Sequence, residues 1–211
     1  LHFRKYSLHT KIVLTADLFL LFAGALLFYL IEHDDLFAGM TMTGKILSSF
    51  FCAVTPRTAG FNTVNVSGLT DASKLLTVIL MFIGGAPGST AGGIKVTTIV
   101  VLLVYLKASL TRTVGYNIFG RRLEDDALRK SAAVFCTNLF LATTAALILC
   151  TLQNFNGLDT LLEVISAIST VGMTAGLTTQ LNMISRMVVI LLMYLGRVGS
   201  LSFAMSFTDK K

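Results

Sequence analysis

The stretch that decides the fold is Phe82-Ile83-Gly84-Gly85-Ala86-Pro87-Gly88-Ser89-Thr90-Ala91-Gly92-Gly93-Ile94-Lys95. It lies in the middle of an apolar run from Ser73 to Leu106. As one helix that run would be about 51 Å long at 1.5 Å per residue, well beyond the ~30 Å of hydrocarbon in a bilayer. Five glycines and Pro87 between positions 84 and 93 end helices and favour irregular backbone. The spacing therefore predicts a broken helix. Irregular backbone at membrane depth is tolerable only when it is buried in protein or faces a water-filled cavity.

Composition sets the same scene for the whole chain. Of 211 residues, 54% are apolar and 13% charged, against about 25% charged in soluble domains. Two prolines and three scattered cysteines exclude a disordered segment, a collagen-like repeat and a disulfide scaffold. The net charge of +6 is not a nucleic-acid footprint, since Trp is absent and no solvated basic face with aromatics is present. Further apolar stretches at Ile12 to Ile31, Ser131 to Leu152 and Met183 to Phe207 give, with the broken run, four expected crossings.

Orientation follows from Lys and Arg. Arg4, Lys5, Lys11, Lys107, Arg112, Arg121, Arg122, Arg129, Lys130, Lys210 and Lys211 fall on one side of the expected spans. The other side holds Lys45, Arg57, Lys74 and Arg186 with six acids, Glu32, Asp34, Asp35, Asp71, Asp159 and Glu163. The positive-inside rule then puts both termini and the 107–130 linker in the cytoplasm of a multi-pass protein of the cell membrane. Asp17, early in the first span, reads as interfacial. Two semi-apolar segments, Thr43 to Thr55 and Leu158 to Ser169, are too short to span and read as re-entrant pore helices, each leading into a glycine-containing strip.

The chain also repeats itself. An offset of 112 residues places Thr58-Ala59-Gly60-Phe61 on Thr170-Val171-Gly172-Met173, and without a gap carries Ser73 to Gly84 onto Ser185 to Gly196. Matched Ser, basic, Met and Gly positions weigh more than matched apolar ones. The expected fold class is thus an all-α integral membrane protein of parallel span, pore-helix, span repeats, the first with a broken helix. Its units are a cytoplasmic N-terminal segment (1–11), a first repeat (12–106), a basic linker (107–130), a second repeat (131–207) and a short tail (208–211).

An ion leaving water needs oxygens in place of its hydration shell, and an extended strip of backbone carbonyls provides them. Glycine permits such backbone and leaves the axis open. Short helices that aim their partially negative C-termini at the same place favour a cation. Thr58, Ala59, Gly60, Phe61 and Asn62, with Thr170, Val171, Gly172 and Met173, are the candidate ion-binding strips. A single glycine per strip leaves both potassium-selective conduction and sodium coupling or leakage open.

Arg57-Thr58-Ala59-Gly60-Phe61-Asn62-Thr63, the glycine-rich stretch quoted first, Ser169-Thr170-Val171-Gly172-Met173 and Gly196-Arg197-Val198-Gly199 together closely resemble the membrane subunit of the Trk/Ktr/HKT potassium transporters, and the form of the first strip is more similar to the Ktr branch. The resemblance implies four repeats around one pathway, with Gly60 and Gly172 as the filter glycines of the third and fourth repeats, in the C-terminal half of such a subunit. It implies that Gly84, Gly85, Pro87, Gly88, Ser89, Thr90, Gly92 and Gly93 belong to an intramembrane gate loop that Arg197 faces, and Lys95, an intramembrane charge beside it, is read as part of the same gate. It also implies K+, with Na+ left open, as the transported ion, a homodimer, and a cytosolic ring of nucleotide-binding regulatory subunits. Family members are about twice this length. Ile12 to Ile31 is read as the first span of the third repeat, so an N-terminal half or a second copy of the chain would complete the pore.

Lys95 and Arg197 are the basic residues inside expected spans, where charge is costly and functional by default. Gly88 to Lys95 approaches a phosphate-binding loop pattern, but Ile94 stands where its lysine would be. His2, His9 and His33 are isolated, no spacing suggests a metal site or cofactor, and no activated nucleophile is in evidence. The expectation is transport and not catalysis. An organic-substrate transporter built on the broken helix and a non-conducting membrane scaffold are the alternatives.

Overall fold

An apolar helix needs partners for its leading N–H groups, and short polar residues provide them at most helix starts in this chain. The computed structural model describes residues 6–87, 91–111, 117–118, 121–122 and 125–199. Its helices are α1 (Leu8–Glu32), α2 (Met42–Val54), α3 (Asp71–Ile83), α4 (Val96–Thr111), α5 (Asp125–Leu152), α6 (Gly157–Ile168) and α7 (Met183–Val198). The side chains of Ser7, Thr41, Thr70, Asn156 and Asn182 accept first-turn N–H groups of α1, α2, α3, α6 and α7. At its other end α3 stops at Gly84, whose φ of +55° lies where side chains are disfavoured.

The apolar run around the glycine-rich stretch is thus two helices, α3 and α4, with residues 84–95 non-helical between them where described. Among the described helices, α1 and α5 are the two long and apolar enough to cross a bilayer alone. With 25 and 28 residues they measure about 38 and 42 Å. The short helices α2 and α6 lie within one residue of the segments expected to re-enter. The linker differs from its expected form. α4 runs on to Thr111, α5 begins at Asp125, and an antiparallel ribbon pairs β1 (Asn117–Ile118) with β2 (Arg121–Arg122), a small addition to an otherwise helical fold. Asp125 and Asp126 suit the first turn of α5, where the helix dipole favours negative charge.

The core forms around α6. Every residue from Leu162 to Ile168 is buried, enclosed by α3, α5 and α7. Val78 and Met81, Ala142 and Leu149, and Val189 and Leu192 pack there from the three neighbours. A second cluster joins α1, α2 and α3 through Phe28, Ala53 and Leu80. Large apolar side chains on the outer faces of α1 and α7, among them Phe19, Leu26, Met187 and Ile190, are exposed, as lipid-facing or protein-facing surfaces in a membrane would be.

Several of the charges counted for orientation have tertiary partners in the fold. Arg57 is ion-paired with Asp17, because α2 runs back along α1 and returns the chain to that level, and the Asp17 side chain stays 33% exposed. Glu32 is fully buried and accepts both the backbone N–H and the hydroxyl of Thr70, at 3.0 and 2.7 Å, fastening the end of α1 to the start of α3. Lys74 on α3 meets Asp159 in the first turn of α6 at 2.8 Å, with 9% and 21% of the two side chains exposed. Removing one partner of such a pair strands a buried charge. Lys74→Met should therefore cost about 3–5 kcal/mol, and the double change Lys74→Met with Asp159→Leu should recover most of it, as read by thermal unfolding in detergent.

Candidate functional site

Both short helices deliver their C-termini to the expected strips. α2 ends at Val54 and its capping residue is Thr55; α6 ends at Ile168, with Ser169 as its cap. The backbone then does the same thing twice. Thr58 and Gly60 have φ of +71° and +74°, and Thr170 and Gly172 have φ of +55° and +86°. Among the described residues, Thr58 and Thr170 are the two non-glycine positions with positive φ, and they are 112 apart. A β-branched residue in that region is a strained outlier, of a kind found where function requires an unusual backbone. Left-handed residues at every second position undo the alternation of carbonyl directions in an extended chain. Successive carbonyls can then serve one side.

The two strips meet. A Cβ built on Gly60 would run into the carbonyl oxygen of Val171 and would lie 3.7 Å from the carbonyl carbon of Gly172. Ala59, Phe61 and Asn62 are exposed, whereas Val171 and Met173 are buried. Met173 fills the hollow behind the first strip, against Thr55, Phe61, Val66 and Thr77, leaving about 10 Å³. Behind the second strip a cavity of about 310 Å³ remains, bounded by Glu163, Ala167, Thr170, Gly172, Thr178 and Met193 among others.

The glycine-rich loop lies against the second strip. The Gly92 N–H donates to the Thr170 hydroxyl at 2.8 Å, and a Cβ at Gly92 would stand 2.6 Å from the Thr170 methyl and 2.9 Å from the Gly196 carbonyl oxygen. Gly93, with φ of +64°, leaves the same lack of room against Ser169. The loop also closes on itself. The Val96 N–H donates to the Gly85 carbonyl at 3.2 Å, and a side chain on Gly84 would collide with the Ile94 carbonyl. Lys95 turns its ammonium back onto the Ala91 carbonyl and interacts electrostatically with Arg197, which is exposed in the last turn of α7. Pro87 is partly buried beside this loop, and Gly88, Ser89 and Thr90 lie outside the described residues.

The expected strip and loop residues therefore come together in one place, apart from those three. Sequence reasoning missed Thr55, Glu163 and Thr178 as supports, and gave no role to Ser169 or to Gly196, whose missing side chain makes room for the Ile168 carbonyl at the end of α6. An isolated glycine inside a helical pattern was the available signal for Gly196.

The architecture is that of a helical membrane transport protein. The TrkH family model, described as a cation transport protein, matches residues 6–211, and the chain belongs to that family. It is 37% identical to the potassium/sodium uptake protein NtpJ of Enterococcus hirae over 98% of this chain and 47% of that protein. Against the Ktr system potassium uptake protein B of Bacillus subtilis the identity is 36%, over 97% of this chain and 46% of that one. The crystal structure of the potassium transporter TrkH from Vibrio parahaemolyticus superposes with a TM-score of 0.74 at 21% identity, covering 87% of this chain and 41% of that one. The chain spans about half the length of the curated relatives it matches.

The two strip glycines should tolerate substitution unequally. Gly172 has nothing within 4 Å of a Cβ, so Gly172→Ala should cost about 1–2 kcal/mol, the left-handed backbone penalty alone. Gly60→Ala adds a collision with the second strip and should cost more. Gly39→Ala, in open space, should leave the thermal unfolding midpoint in detergent unchanged.

Proposed function

We propose that the chain contributes two of the filter strips of a potassium uptake pathway across the cell membrane, and that residues 84–95 form a gate beneath them. What carries the reading is the meeting of Gly60 with Val171 and Gly172 at the C-termini of two short helices, with left-handed backbone at matched positions in both strips. Carbonyls held this way can replace the hydration oxygens of a cation, and the helix ends favour positive charge. Thr58, Ala59, Gly60, Phe61 and Asn62 form one strip, and Thr170, Val171, Gly172 and Met173 the other. Four strips enclose an axis, so the pore is completed by an N-terminal half or by a second copy of the chain. The membrane subunit works as a homodimer on a cytosolic nucleotide-binding ring, with both termini cytoplasmic.

The gate reading rests on the hydrogen bond from Gly92 to Thr170 and on the two cations beside the loop. A loop fastened to the lower end of a strip obstructs whatever passes it, and Lys95 with Arg197 opposes a cation there. The names of the relatives speak of potassium alone in one case and of potassium and sodium in another, and sodium-linked uptake belongs to the same proposal.

Uptake of potassium by cells that lack their own uptake systems tests this. Gly60→Ser should change the ratio of potassium to sodium uptake, whereas Arg197→Ala should raise basal potassium flux while leaving that ratio near the parent value. An unchanged ratio in the first variant removes Gly60 from the filter, and unchanged flux in the second removes Arg197 from the gate.

A further inference from the structure

The two strips are held from behind in different ways, and the difference falls on residues 112 apart. In the first, the Thr55 hydroxyl donates to the Phe61 carbonyl oxygen at 2.5 Å, tying the end of α2 to the residue after Gly60. The corresponding residue of α6 is Ala167, which has no hydroxyl to give. The second strip is tied elsewhere. Glu163, 5% exposed and one turn earlier on α6, accepts the hydroxyl of Thr178. The Thr178 and Thr174 hydroxyls are hydrogen-bonded at 3.1 Å, and the Gly176 N–H donates to the Thr174 oxygen at 2.9 Å. Thr178 has one proton and gives it to the carboxylate. The proton between the two hydroxyls is then Thr174's, and an unbroken chain runs from the backbone just beyond the strip to Glu163. Where Glu163 and Thr178 stand in the second strip, the first has Phe51 and Val66. Each strip lacks the tie the other has.

Packing explains why the second tie matters. Met173 closes the hollow behind the first strip almost completely, whereas within this chain about 310 Å³ stays open between the second strip, α6 and α7. A strip in left-handed backbone drifts unless its surroundings over-determine it. The hydrogen bonds from Thr178 to Glu163 and between Thr178 and Thr174 stand in here for contacts that packing within this chain does not make.

We infer that Glu163 is the positioning residue of the second strip: through Thr178 and Thr174 it holds Gly172 in place, as Thr55 holds Gly60, and so sets the discrimination between potassium and sodium. The inference rests on the reading of these strips as a filter. Glu163 acts through the tether, and its charge alone is not what matters.

The test is the ratio of potassium to sodium tracer uptake in the flux-competent protein that contains this chain, a ratio independent of expression level. Gly172→Ser comes first, since an unchanged ratio there overturns the filter reading itself. With that reading standing, Glu163→Ala and Thr178→Val should each lower the ratio about five-fold, the worth of one hydrogen bond. Glu163→Gln keeps an acceptor for Thr178 and should stay near the parent value. Ala167→Thr has room in the cavity, and added to Glu163→Ala it should restore most of the ratio by supplying the first strip's kind of tie. No change in both Glu163→Ala and Thr178→Val overturns the inference. A loss in Glu163→Gln as large as in Glu163→Ala, with Thr178→Val unaffected, would assign the effect to charge and overturn the tether. Should Glu163→Ala fail to accumulate, Thr178→Val, which leaves the carboxylate in place, decides the question.

Discussion

Everything at the centre of this molecule answers one constraint: a helix that stops within apolar surroundings leaves polar backbone groups that water cannot reach. The non-helical backbone that follows α2, α3 and α6 and precedes α4 is placed in this way within the expected membrane segments. The responses are local and specific. The Thr55 hydroxyl serves the Phe61 carbonyl, Gly85 accepts from Val96, Lys95 serves Ala91, and Gly92 donates to Thr170. In a soluble protein these ends would be hydrated. Here, satisfying them is what shapes the strips and holds the loop against them.

That constraint also explains the clustering of unusual backbone. Threonine in the left-handed region is unfavourable, yet Thr58 and Thr170 both adopt it. A strip that continued as ordinary extended chain would point half its carbonyls into apolar packing. The conformational strain at two residues is the lesser cost, and the buried surface of α6 and its neighbours makes it sustainable.

What was legible in the sequence was whatever is decided locally. Gly84 ends α3 because of its own conformational freedom, and the lengths of α2 and α6 followed from the apolar periods that bound them. The pairing of 117–118 with 121–122 in the linker carried no apolar period and was not foreseen. The pairing of charges was not legible. Glu32, Arg57, Lys74 and Asp159 entered the reading as labels of one membrane side and Asp17 as interfacial, because counting treats a charge as solvated. In the fold each has a partner far along the chain, from 38 positions away for Glu32 and Thr70 to 85 for Lys74 and Asp159. No local pattern announces such a pairing. Glu163 was hidden for the same reason, since its role depends on Thr178 and on a cavity formed by α7.

Gly196 brings main chain against main chain on two sides: a Cβ there would meet the Ile168 carbonyl at the end of α6, and its own carbonyl lies where a Cβ on Gly92 of the loop would stand. Contacts between side chains can absorb a small shift by changing rotamers, but bare peptide planes have no such slack. A displacement of α7 is therefore felt at the loop on one side and at the root of the second strip on the other, so these three segments are coupled through backbone contact at Gly196.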